Sequence, residues 1–174
     1  MKRILLLGLI SACLVAVWLQ RSPARVSASG APVVSLNTGN AAPRQVEETT
    51  EKAVARDYAA AWQAMGTALE ENRSDVLTPN FAGAAAEKLA ATIEQQRKGG
   101  IRQHTVDRGH HVDAVFYSPE GSAMELHDTA SLQLQLLDGS TVVHSEDVTI
   151  HYVALLTAAE NSWKVRVLEA VPAF

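Results

Sequence analysis

One cysteine, Cys13, is all that the 174 residues contain. No internal disulfide can therefore staple this fold, whatever the redox state around it. The chain also lacks paired-cysteine and HExxH metal signatures, a glycine-rich phosphate loop and a GxSxG nucleophile elbow. Each of those motifs carries a chemistry, so their absence leaves no reaction legible by motif and no cofactor expected. Internal repeats are missing. Acidic residues are missing from residues 1–45, which hold five cations; residues 46–174 hold ten cations and nineteen acids, a formal net of −9. A domain of that sign repels phosphate backbones, and nucleic-acid binding is not expected.

Long apolar runs are also scarce: only the N-terminus has one. "MKRILLLGLISACLVAVWLQR" places two cations before sixteen uncharged residues, Ile4 to Leu19. As a helix that run is about 24 Å long, against a bilayer core of about 30 Å. Residues 1–19 read as a signal anchor, as a signal peptide cut after Ala28 (Val26 and Ala28 are suitably small), or as a lipoprotein signal cut before Cys13. "ISAC" resembles a lipobox, which would leave Cys13 lipidated; otherwise Cys13 is one more small residue in the run. All three place the rest outside the cytoplasm, tethered to a bacterial inner membrane or exported to the periplasm or cell surface. Residues 20–45 are rich in Ser, Ala, Pro, Gly and Asn without apolar periodicity, and read as a disordered linker.

From residue 46 the chain reads as one α+β domain, 46–174. Val54, Tyr58, Trp62, Met65 and Leu69 recur at helical spacing and predict a long helix ending near Asn72. Phe81, Ala85, Leu89 and Ile93 predict a second, from about 81 to 98, stopped by Gly99 and Gly100. The period then switches to two. Strands are expected at 103–117, 122–137, 141–157 and 163–171, with a break at Gly109 and turns at "SPEG", "DG" and "AAENS". Two helices on one face of a four-stranded antiparallel meander follow.

This layout, closed by the last-strand sequence "ENSWKVRVL", resembles the nuclear transport factor 2-like superfamily over roughly residues 50–172. It is similar in organisation to tethered envelope members: inner-membrane components of type IV secretion systems and membrane proteins that accompany lipid importers. The resemblance implies a cone-shaped domain with a curved sheet, and a space between helix and sheet that can be a ligand pocket or an acid–base site. No functional residue carries over by motif.

Alternation on strand 122–137 sends Met124, Leu126, Ala130, Leu132, Leu134 and Leu136 inward, and Glu125, His127 and Gln135 outward. His151 joins the outer side of the next strand. A three-residue loop at Pro119–Gly121 sets Asp113 opposite His127 and Phe116 opposite Met124. The second hairpin leaves two registers, with either His127 or Glu125 opposite His151. Asp113, Glu125, His127 and His151 thus form an outer-face cluster. It could be a partner or self-association surface, a divalent metal site, or a solvated face with charges paired across strands.

Asp128 interrupts the apolar series of its strand. His110, His144 and Glu146 share the inward parity, although a break at Gly109 can reverse His110. A lone buried carboxylate is costly unless paired. Asp128 with His110, near Tyr58 and Trp62, is the pocket and acid–base candidate; the alternative is a carboxylate at the open sheet end. Three functions remain open: a non-enzymatic envelope contact domain, a binder of a small apolar ligand, and a pocket enzyme using Asp128 and His110.

Overall fold

The computed structural model describes residues 31–174. The apolar N-terminal run, Cys13 and Ala28 lie outside the described residues, and with them every expectation about anchoring, cleavage or lipidation. Among the described residues no helix is long and apolar enough to cross a membrane.

The elements are β1 (Val34–Asn37), β2 (Ala42–Pro43), α1 (Glu48–Glu71), α2 (Gly83–Gly99), β3 (Ile101–Tyr117), β4 (Ala123–Asp138), β5 (Thr141–Ala159) and β6 (Ser162–Val171), with a 3-10 turn at Asp75–Leu77. The helix α1 buries Val54, Tyr58, Ala61, Trp62, Met65 and Leu69, the stripe expected from their spacing. It opens with Glu48 and Glu51 at the positive end of its dipole. It closes at Asn72, which adopts a left-handed conformation and donates its side-chain amide to the Ile101 carbonyl, 2.9 Å away. Gly100, at φ 69°, supplies the left-handed cap after α2.

The sheet runs β1-β3-β4-β5-β6, with β2 also on β3. Among the described residues it has six strands where four were expected, and the reason lies in residues read as linker. Val34–Asn37 pairs in parallel with His110–Asp113, and the His110 amide donates to the Val33 carbonyl at 2.9 Å. A short Val-Ser-Leu segment has no helical or long alternating pattern; it is ordered because β3 offers an unpaired edge. The two helices on an antiparallel meander agree with the α+β layout that the resemblance implied.

Four single-residue bulges shape the meander, at Arg108 and Val115 in β3, Val143 in β5 and Arg166 in β6. Each bends its strand and reverses side-chain parity beyond it. At Arg108, next to Gly109 with φ 128°, Asp107 faces Leu132 and His110 faces Ala130. Residues three apart, which strict alternation would place on opposite faces, both point into the core. At Val115 the reversal puts Tyr117, not Phe116, opposite Met124. At Arg166 it hands the inward position from Val167 to Leu168, beyond the buried Trp163 and Val165.

The inward leucine series holds through Met124, Leu126, Ala130 and Leu132, then fails. Gln135 is buried and Leu136 only half-buried, and the residue opposite Gln135 on β3, His104, is buried as well. His144 and Glu146, expected inward, are exposed near the turn end of β5, 3.7 Å apart.

Candidate functional site

Four side chains meet behind α1. Tyr58 arrives from α1, Asp128 from β4, and His110 and Asp107 from β3, the last two brought to one face by the Arg108 bulge. The Tyr58 hydroxyl donates to Asp128 Oδ2 at 2.8 Å. His110 Nδ1 lies 2.8 Å from the same oxygen, and His110 Nε2 lies 2.7 Å from Asp107 Oδ2. The other Asp107 oxygen accepts the Gly109 amide at 2.8 Å, so bulge and ion pair hold each other in place. Trp62 packs on the His110 ring at 4.3 Å between centroids, and Tyr152 edges onto Trp62 at 5.2 Å.

Asp128 and the His110 side chain have no exposure at all. Burial disfavours charge on His110, but hydrogen bonds to Asp107 and Asp128 overcome it and raise the imidazole to about 9. At neutral pH it is an imidazolium donating from both nitrogens, one to each carboxylate. Burial, then the charge on Asp128, pushes the Tyr58 hydroxyl well above its usual range, and Tyr152 moves in the same direction for the same reasons. Asp128 Oδ1 has no hydrogen-bond partner among the described residues. The candidate pair Asp128 and His110 does meet, in the core and not at an open sheet end, and Asp107 is the member that sequence reasoning missed. Its signal was faint: an acid three residues before His110 with a glycine between them.

What this network can do chemically is limited by access. An imidazolium with both N–H groups donated is no base, and no substrate can touch Asp128 through the packing around it. The space behind Tyr58 is filled by core side chains such as Val112, Met124, Leu126 and Leu156. An open cleft of about 190 Å³ lies further along, between the second half of α1 and β3. Trp62, Met65, Glu70, Thr105 and Asp107 line it, with Pro32 at its rim. Of the expected pocket residues, Trp62 reaches the cleft; Tyr58, Asp128 and His110 do not.

The outer-face residues separate into two groups. Asp113 lies opposite His127, as expected. Asp113 accepts from Asn37 of β1 at 2.7 Å, and His127 Nε2 sits 3.3 Å from Glu125. Neither register anticipated for His151 occurs: Thr129 is its partner, with Oγ1 3.1 Å from Nδ1, because the turn sets Leu137 opposite Val142 and the extra residue at Val143 carries the register on by one. What rejoins the two groups is Phe174. Its ring stacks on His127 at 4.4 Å and 9°, and meets His151 edge-on at 5.1 Å. Among the described residues no three His, Cys, Asp or Glu side chains converge as metal ligands. Phe116 and Phe174 stay exposed on this face.

Asp57 is a further residue the sequence did not flag. Buried on α1, its Oδ2 accepts the Trp163 amide at 2.7 Å and so ties the helix to the start of β6.

No protein-family model matches the chain. No curated protein matches it either. Solved structures do. The intermembrane-space region of the chloroplast protein ARC6 superposes with a TM-score of 0.61 at 16% identity, covering 74% of this chain and 98% of that one. Aln2 from a Streptomyces species gives 0.48 at 13%, covering 73% and 94%. A domain of unknown function with a cystatin-like fold from Nostoc punctiforme gives 0.42 at 10%, covering 74% and 80%. At such identities the ARC6 likeness speaks for the fold alone, and the two lower scores carry no argument.

Proposed function

We propose that this chain is a non-enzymatic contact domain of the bacterial envelope, nuclear transport factor 2-like in fold and held outside the cytoplasm by its N-terminal segment. Its partner docks on the outer sheet face around Asp113, Glu125, His127 and His151. One observation carries the reading: Tyr58, His110, Asp128 and Asp107 bond chiefly to one another behind α1, with Asp128 and the His110 ring fully buried, whereas Phe116 and Phe174 stand exposed beside the outer-face cluster. Aromatic side chains mixed with ionisable ones, on a face no described helix covers, suit a protein partner. The N-terminal run supports the tether, and the helix-helix-meander layout supports the superfamily.

The experiment pairs a photo-reactive residue at Val153, on the outer face, with one at Glu87 on α2, each in the full chain in cells. A discrete adduct from 153 and none from 87 is expected. It should vanish when Asp113, Glu125, His127 and His151 are all alanine, with the circular dichroism unchanged. Adducts from 87 alone would overturn the docking face. A phosphatase fused after Phe174 reports the tether: activity is expected, and an inactive, stable fusion would place the domain in the cytoplasm.

A second reading, binding of a small ligand, rests on the cleft at Trp62 and Asp107. At about 190 Å³ it is smaller than the roughly 300–1,000 Å³ of sites for drug-sized molecules. That volume argues against a lipid or steroid-like ligand and leaves only a compact one.

A further inference from the structure

The strand β5 is nineteen residues long, and β6 covers only His151–Ala159 of its far edge. The ladder stops there for a local reason: Pro172 follows Val171 and has no N–H to donate to the next position. Among the described residues, no strand pairs with the outer backbone groups of Thr141–Ile150. The Val143 bulge spoils alternation at the turn end, so the regular part of the free edge is residues 144–150. Its side chains are exposed or half-buried throughout. A regular edge of seven residues is a template for another strand.

We propose that two copies of this chain join edge to edge, with residues 144–150 of β5 pairing antiparallel with the same residues of the second copy about a two-fold axis at Asp147. This goes beyond the outer-face reading, since it uses a different surface and a partner of known sequence. Three physical constraints select the arrangement. Directly paired residues must point to one face of the joined sheet, so the axis passes through a residue and not between two. An axis at Asp147 is the only one that pairs all seven regular residues. An axis at Glu146 would set that carboxylate against its own copy, and the ion-pair partner it has among the described residues is His144, 3.7 Å away.

Asp147 differs because its charge is already matched. Arg108, the bulged residue of β3, reaches across β4 and places Nη2 2.8 Å from Asp147 Oδ1. At the axis two carboxylates meet two guanidiniums, and the fork of each Arg108 can serve both carboxylates. The remaining pairs carry no like charges: Glu146 faces Val148, Ser145 faces Thr149 and His144 faces Ile150. Two sheets become one.

The test is a cross-link that reads the register. In the full chain in detergent, Cys13→Ser is combined with Ser145→Cys and Thr149→Cys, and the protein is oxidised. A covalent dimer is expected from the double-cysteine chain. Neither single cysteine should link, because like positions lie four residues apart along the ladder, about 13 Å. Arg108→Glu should weaken the dimer tenfold or more in sedimentation equilibrium, with the circular dichroism unchanged. No cross-link from the folded double-cysteine chain, or equal cross-linking by the single variants, would overturn the proposal. So would a dimer indifferent to Arg108→Glu. Loss of the outer-face adduct at Val153 would leave this result untouched, so the two ideas fail separately.

Discussion

Asp128 on β4 and His110 on β3 share a hydrogen bond of 2.8 Å, and neither side chain reaches the molecular surface. Around that bond the core is anchored by charge and not only by apolar packing. A buried ion pair is a weak source of net stability, yet removing one partner is costly because it strands the other. Tyr58 and Asp107 complete the arrangement from α1 and from the bulge, so the network fixes helix position and strand register together.

Stability should depend on pH through His110. Its folded value, about 9, lies above the ordinary 6.5, so the native state holds the proton more tightly than the unfolded chain. The contribution is complete below about pH 6.5 and is lost as pH rises through 9; two and a half units correspond to on the order of 3 kcal/mol. Urea midpoints measured from pH 6 to 10 should fall across that window. A flat profile would mean that His110 is neutral in the native state.

Asp128→Ala should destabilise by about 3–5 kcal/mol, since it leaves a buried imidazolium and the Tyr58 hydroxyl without their shared acceptor. Asp128→Asn keeps one acceptor oxygen and should cost less, about 1–3 kcal/mol. In the Asn variant His110 should titrate lower than in the parent, a shift that NMR of the ring protons reads directly.

Asp57→Ala should cost about 1–3 kcal/mol, the penalty for a buried backbone N–H left unpaired at Trp163. Chemical denaturation followed by tryptophan fluorescence checks it. A loss below a few tenths would mean that solvent replaces the carboxylate.

Deleting residues 31–39 removes β1 and should cost roughly 2–3 kcal/mol, about the worth of a few strand hydrogen bonds. The amides of His110 and Val112, which face β1, should lose protection from hydrogen exchange while those of Leu126–Ala130 keep theirs. Unchanged protection at His110 would restore the original reading of that segment as linker.

Phe174→Ala should change stability by less than about 1 kcal/mol, because the ring is 55% exposed. The His127 ring protons, now shielded by the stacked phenyl, should move downfield by a readily measured amount. Their staying in place would show that the C-terminus does not rest on this face.

Helices and strands were legible because each depends on a local period: 3.6 residues from Val54 to Leu69, two residues from Met124 to Leu132. Turn chemistry at "SPEG", "DG" and after Gly99 supplied their boundaries. The pairing of Asp128 with His110 was legible too, as polar residues standing in apolar series. Asp107 was not, since it joins them only through the Arg108 bulge, and neither was the Thr129–His151 pairing that the Val143 bulge decides.

The sequence by itself determined the α+β class, the order and near-boundaries of two helices and four long strands, and the faces of most residues between bulges. Periodicity and turn propensity act over a few neighbours, and those neighbours are written in order along the chain. Tertiary structure alone decided that Val34–Asn37 is a strand, that Asp107 and His110 share a face, and that Phe174 lies over His127 and His151. Those outcomes depend on contacts between residues far apart in the chain, or on a one-residue slip whose cost is set by packing across the whole sheet.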